Sequence, residues 1–296
     1  MKFVSYTQNH AHGPDQQPRA GVLDQGQVVD LNHADASTPP SLHDGLTQCI
    51  NLTARGRAAL ASSTPRLALA SLRLAPPIVR PGKIVCLGLN YFDHAKEGGR
   101  DKPDYPWFFL RSASSLIAHG APGVRPRVSE RLDFEAELAV VVGRKARHLR
   151  PDNALDCVFG YSCFNDISVR DYQKKTPQWT IGKNFDDTGG FGPVLVSADQ
   201  FAPGATGLRI QSRLNGKVMQ DANTTDMIWG VAETLVLLTE CMTLDAGDLI
   251  IMGTPAGVGQ ARTPPVWMKH GDLVEIEIDE IGVLANPICD ETALAA

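Results

Sequence analysis

RLDFEAELAVVVG, residues 131–143, sets two glutamates one residue apart at the entrance to a run that is otherwise almost wholly apolar. On a strand, side chains alternate faces, so Glu135 and Glu137 point the same way, with Cα atoms roughly 7 Å apart. Leu138 to Val142 are apolar on both faces, which predicts a strand covered on both sides. The chain carries its own contrast. In LVEIEIDE, residues 273–280, Glu275, Glu277 and Asp279 alternate strictly with Val274, Ile276 and Ile278, the pattern of a half-exposed strand. The acids of the first strand are therefore expected inside the protein or at the edge of a cavity. Like charges held close in low dielectric are unfavourable unless a proton or a cation neutralises them. Hard divalent cations take carboxylate oxygens. Spacing alone leaves a solvated sheet face equally open.

Around that strand the chain reads as α+β and mainly β. From Lys83 onward, short runs rich in Val and Ile (KIVCLGL, PVLVS, LRIQSRL, DLIIMG) alternate with Gly, Pro and Asp turns, and one long helical stretch is expected around TTDMIWGVAETLVLLTECM. Residues 1–75 hold two strand-like pieces, KFVSYT and AGVLDQGQVVDL, and an Ala/Leu-rich helical stretch that ends near the prolines of RLAPPIVRPGK. They are expected to form a small N-terminal α/β domain, with residues 76–296 as the catalytic domain. The chain has 296 residues, 43% of them hydrophobic and 21% charged, ample for one large core. A net charge near −5 and a pI of about 5.9 offer no basic footprint for nucleic acid. No run approaches the ~20 apolar residues of a membrane span, and the N-terminus lacks the apolar core of a signal peptide. A cytoplasmic location is the expectation, with no nucleic acid and no membrane as partners. Six cysteines are scattered without CxxC spacing, as reduced core residues would be.

A third carboxylate is offered by GYSCFNDISVRDYQ, where Asp166 ends an apolar run and Ser168, Arg170, Asp171 and Gln173 follow. Asx residues end strands routinely, so this signal is weak alone. In NYFDHAKEGG, His94 and Glu97 lie three residues apart. On a helical turn they are neighbours, and the carboxylate can orient the imidazole; an exposed pair without function shows the same spacing. The glycines after it, in GGRDKPD, suit either a hinged lid or a plain surface loop. GTPAGVG lacks the GK[ST] of a phosphate loop, which leaves close backbone approach to a ligand as its expected task.

In order, GLNYFDHAKEGG, PWFFLRSASSLI, DFEAELAVVVG, FNDISVRDYQ, QWTIGKNFDD and GDLIIMGTPAGVG resemble the fumarylacetoacetase (fumarylacetoacetate hydrolase) family, over roughly Lys83 to Ile288. The resemblance implies a mixed β-sandwich roll, a homodimer, and Mg2+ (or Mn2+ or Ca2+) held by Glu135, Glu137 and Asp166. It also implies a His94–Glu97 dyad, a functional lysine at Lys183, and substrate contacts from Arg170, Gln173 and Thr254. Arg111 stands where the family commonly has lysine, so the reach of that substrate subsite differs. The activity implied is metal-dependent hydrolysis of a carbon–carbon bond in an acylpyruvate or 2,4-dioxo acid. His94 takes a proton from water, hydroxide attacks the distal carbonyl, and a pyruvate-like enolate is left on the metal. Decarboxylation of a β-keto acid such as oxaloacetate, or isomerisation of a related oxo acid, passes through the same enolate and stays open as the alternative. A binding module with a vestigial site is disfavoured by the joint presence of Glu135, Glu137, Asp166, His94, Glu97 and Lys183.

Overall fold

Strand Ala136–Val142 lies at the heart of the molecule, and all seven of its residues are buried. The computed structural model describes residues 1–8, 17–99 and 101–292. Leu138, Val140 and Val142 join one apolar cluster, while Ala139 and Val141, on the face that carries the two glutamates, join another. Alternation thus feeds two cores at once, as expected for a strand with both faces covered. Its neighbours are Val158–Asp166 and Leu249–Ile251, both antiparallel.

These strands belong to a twelve-stranded mixed sheet. On one side lies a five-stranded sheet built from Lys217–Asn223, Arg209–Leu214, Leu273–Ile278, Gly282–Asp290 and Gly123–Arg125. Ile210, Val274, Ile276, Ile278 and Leu284 of that sheet pack into the first cluster. On Leu273–Ile278 the alternating pattern holds: Val274, Ile276 and Ile278 are buried, and Glu275 and Glu277 are half-buried and pair with Arg213. The other face is covered by Leu31, Leu42, Leu46 and Leu52 from the short N-terminal helices. The result is a mainly β, two-sheet sandwich with few helices.

The segment 1–75 differs from the expectation of a separate small unit. Lys2–Gln8 pairs directly with Gly189–Ser197 (Lys2 opposite Val196, Phe3 opposite Leu195), so Arg66–Ala68, Gln27–Asp30, Arg19–Asp24 and Lys2–Gln8 continue the main sheet. Phe3, Val22 and Val29 share one apolar cluster with Ile84, Ile251 and Leu195. Residues 9–13 of the expected N-terminal stretch, and Arg100 of GGRDKPD, lie outside the described residues. The long helix is shorter than expected. It spans Val231–Cys241, preceded by a single 3-10 turn at Thr224–Asp226. The reason is Asn90, whose side chain takes both the N–H and the carbonyl of Trp229 and so removes them from a helical ladder.

One buried polar knot fastens the N-terminal strands. Asp30 caps helix Leu31–Ala34 through the His33 N–H at 2.7 Å, accepts from Tyr6 Oη at 2.6 Å, and pairs with Arg19. Burial would raise the Asp30 carboxyl, but Arg19, Tyr6 and the His33 N–H outweigh it and hold it below its ordinary value. Asp30→Ala removes the acceptor while Arg19 can still reach water, so a loss of about 2–3 kcal/mol is expected, read by urea unfolding at pH 7. Because the folded-state value is depressed, this advantage is complete above the ordinary carboxylate value of about 4 and is lost as pH falls below it. The gap between wild type and variant is therefore expected to narrow on acidification; a constant gap contradicts the assignment.

Candidate active site

The end of strand Ala136–Val142 opens into a cavity of about 810 Å3. Glu135, Glu137 and Asp166 are 4, 1 and 0% exposed, and a ligand oxygen from each lies within 4.8 Å of the others. Asp166 is brought there by the pairing of Val158–Asp166 with the central strand, and its backbone N–H donates to the Glu135 carbonyl at 3.0 Å. The solvated-face reading of the two glutamates is thereby excluded.

Three cations answer these acids. Lys183 Nζ lies 2.6 Å from Glu135 Oε2 and 2.6 Å from Asp166 Oδ2. Arg170 Nε donates to Asp133 Oδ2 at 2.8 Å, and its Nη2 sits 2.6 Å from Glu135 Oε1 as an ion contact outside hydrogen-bond alignment. Arg111 Nη1 pairs with Asp166 Oδ1. Lys183 owes its place to Gly182, where a Cβ would stand 2.3 Å from the Gln173 nitrogen. Only a glycine lets helix Thr180–Lys183 close on helix Arg170–Gln173.

The electrostatics divide the acids. Burial would raise Glu135, but Arg170 and Lys183 overcome it and hold the carboxyl at about 2. Burial likewise pushes the Lys183 ammonium down, and Asp166 and Glu135 more than restore it. Glu137 is the exception: burial, then Asp166 and Glu135, push it well above its ordinary value. Its bond is from the Gly253 N–H at 2.6 Å, and among the described residues no Lys or Arg lies within 4 Å of it. Among the described residues, the ion pairs of Asp133, Glu135 and Asp166 are made with Arg111, Arg170 and Lys183. A hard divalent cation fits this donor set, supplying the charge that Glu137 lacks.

On another part of the wall, His94 Nδ1 lies 3.2 Å from Glu97 Oε2 on helix Phe92–Glu97. Glu97 also accepts the Gly257 N–H at 2.9 Å, which ties the helix to the GTPAGVG loop. Gly257 has φ +102°, and a Cβ there would stand 2.3 Å from the Met219 carbonyl, so a glycine is required. Thr254, Arg170 and Gln173 line the same cavity. Trp107, Phe109 and Trp179 form an aromatic side, with Lys183 Nζ 5.1 Å from the Phe109 ring centroid.

Arg111 departs from the substrate-contacting role expected of it. Its side chain is fully enclosed behind Asp166, where its other nitrogens donate to Thr188 Oγ1 at 2.9 Å and Ser115 Oγ at 3.3 Å. The rigid fork is spent on holding a carboxylate in place. Three residues escaped the sequence reading. Asp133 collects Arg170 and the N–H groups of Gly259 and Gln260; its only signal was its place beside FEAE. Asn90 and Gln220 bridge segments far apart in the chain, and nothing local marks them.

Residues 83–289 match the family described as fumarylacetoacetate (FAA) hydrolase C-terminal. The chain belongs to the fumarylacetoacetate hydrolase family. Among its relatives is a Xenopus laevis protein named oxaloacetate tautomerase fahd2, mitochondrial, 38% identical over 92% of this chain and 86% of that one. A Homo sapiens protein named oxaloacetate tautomerase FAHD2A, mitochondrial, is 37% identical over 97% of this chain and 91% of that one. Among solved structures, the fumarylacetoacetate hydrolase of Exiguobacterium antarcticum superposes with a TM-score of 0.83 at 34% identity, covering 98% of this chain and all of that one. The maleylpyruvate hydrolase of Sphingobium sp. SYK-6, in complex with manganese(II) and pyruvate, gives 0.80 at 27% identity, covering 99% of this chain and all of that one.

Glu137→Gln keeps the shape and the bond from Gly253 while removing the carboxylate of the triad that has no ion-pair partner among the described residues. Calorimetric titration is expected to show Mn2+ and Mg2+ affinity at least about tenfold weaker, since one anionic ligand is lost. The metal-free variant is expected to melt no lower than metal-free wild type, because a buried charge is relieved. Unchanged affinity contradicts the cation site.

Proposed function

We propose that the protein is a divalent-metal-dependent enzyme of small 2-oxo acids that interconverts the keto and enol forms of oxaloacetate. The observation that carries this reading is near full-length similarity to two proteins named oxaloacetate tautomerases. It rests also on a cavity lined by Glu135, Glu137, Arg170, Lys183 and His94, with Asp166 within ligand distance of the two glutamates. When bound at Glu135, Glu137 and Asp166, the cation, Mg2+ or Mn2+, supplies Lewis acidity toward the oxygens of the substrate. Arg170, Gln173 and Thr254 orient the acid. Lys183 adds positive charge where negative charge develops on oxygen. His94, held through Nδ1 by Glu97, keeps Nε2 to carry the proton to or from carbon. The Glu97 carboxylate, fixed by Gly257, sets the direction of the ring.

Hydrolysis of an acylpyruvate is the second reading, favoured by the manganese–pyruvate complex of the maleylpyruvate hydrolase. There His94 takes its proton from water instead. No helix among the described residues is long and apolar enough to cross a membrane, and all six cysteines are free. We place the enzyme in a reducing compartment, the expected cytoplasm or, after its relatives' names, the mitochondrion. A homodimer is part of the same reading, supported by the exposed apolar side chains of Phe92, Leu110 and Ile181 and checked by light scattering.

The test offers oxaloacetate and a short acylpyruvate with Mg2+ or Mn2+, following enol absorbance, CO2 and pyruvate separately. Enol–keto exchange is expected at higher kcat/KM than CO2 release or acylpyruvate cleavage. His94→Ala is expected to lower it roughly 100- to 10,000-fold, with Glu97→Gln milder. Faster acylpyruvate cleavage, with solvent oxygen in the acid product, overturns the proposal in favour of the hydrolase.

A further inference from the structure

We infer that Gln220 is a positioning residue that fixes the direction of the Thr254 hydroxyl, leaving Thr254 a hydrogen-bond donor to the oxo acid in the cavity. The inference rests on the oxo-acid reading of the site and assigns a task to a residue outside its motifs. Gln220 lies on Lys217–Asn223, an edge strand of the five-stranded sheet, and its side chain is 1% exposed. It reaches between the start of the strand that carries Glu137 and the loop that begins at Gly253.

Backbone chemistry decides which way its amide points. The Ala136 N–H can only donate, and it meets Gln220 Oε1 at 3.0 Å. The Pro255 carbonyl can only accept, and it meets Nε2 at 2.8 Å. These two groups leave the amide one orientation. The Ser212 hydroxyl at 2.9 Å must then donate to Oε1, and the second Nε2 hydrogen must go to Thr254 Oγ1 at 2.7 Å. All four bonds of the carboxamide are made.

Thr254 Oγ1 is therefore an acceptor from Gln220, and its single proton remains to be given elsewhere. Thr254 lines the cavity beside Lys183, Arg170 and Glu137. The carboxylate and enolate oxygens of an oxo acid accept hydrogen bonds and donate none, so they complement that free proton. Were the amide reversed, the hydroxyl would turn toward Gln220 and present a lone pair to an anion. The same side chain ties the substrate loop to the strand of the triad.

Gln220→Glu keeps the shape but supplies an acceptor only, which takes the Thr254 proton away from the cavity and opposes the Pro255 carbonyl. With Mn2+ present, oxalate affinity is expected to fall roughly 10- to 100-fold, while Mn2+ affinity measured alone changes by no more than about threefold, under 1 kcal/mol. In a Thr254→Val background, Gln220→Glu is expected to cost no more than about twofold further, since the donor is already gone. Thr254→Val alone, with Gln220 intact, is expected to lose oxalate binding to the same extent, whereas Thr254→Ser retains it, so the donor is tested even if Gln220→Glu does not fold. Unchanged oxalate affinity in Gln220→Glu or in Thr254→Val, or losses that multiply in the double variant, overturns the inference. Wild type with Mn2+ that binds no oxalate overturns the oxo-acid reading itself and this inference with it.

Discussion

Three buried carboxylates within ligand distance of one another are the constraint on which the rest of the structure depends. Glu135, Glu137 and Asp166 repel in a medium where water cannot screen them, so the fold must bring positive charge from elsewhere. It does so from three separate segments: Arg111 at the end of Trp107–Arg111, Arg170 at the start of its short helix, and Lys183 at the end of the next. Each is used differently. Arg111 is locked behind Asp166 and stabilises the site from outside the cavity, Arg170 bridges Asp133 and Glu135, and Lys183, which lines the cavity, stands between Glu135 and Asp166. Glu137 is left without a partner of this kind. That asymmetry marks where a further cation belongs.

What could be read from the sequence was what is local. The buried character of Ala136–Val142 and the shared face of Glu135 and Glu137 follow from the two-residue period of a strand, and the contrast with Leu273–Ile278 was written in its alternating acids. Lys183 was visible only through the resemblance to a family, since a single lysine in IGKNF has no periodicity to betray it. Pairing was not visible. Nothing in KFVSYT says that Lys2 will lie opposite Val196, so a stretch that looked self-contained turned out to extend the main sheet. Arg111 was expected to touch substrate because it stands where the family it resembles commonly has lysine; its inward turn depends on Thr188 and Ser115, reached only after folding. Asp133, Asn90 and Gln220 were missed for the same reason, being polar side chains whose partners lie far away in the chain.

The chemistry divides along the cavity. One end holds the charged groups; on another part of the wall, helix Phe92–Glu97 presents an imidazole whose orientation is set by a carboxylate anchored to the GTPAGVG loop. Keto–enol exchange, decarboxylation and carbon–carbon hydrolysis make similar demands on the first end and differ in what the second delivers: a proton to carbon, nothing, or a hydroxide. A shared fold therefore leaves the reaction open within the family, and names among its relatives include both an oxaloacetate tautomerase and a maleylpyruvate hydrolase.

The cation at the triad is the central claim, and the most direct test is anomalous scattering at the manganese edge from crystals grown with Mn2+. The expected result is one strong peak bonded by an oxygen of each of Glu135, Glu137 and Asp166, at roughly the 2.0–2.2 Å of a small hard cation, with Lys183 Nζ moved out from between the two carboxylates it now bridges. The absence of a peak there at saturating Mn2+, with Lys183 still paired to Glu135 and Asp166, would contradict the account.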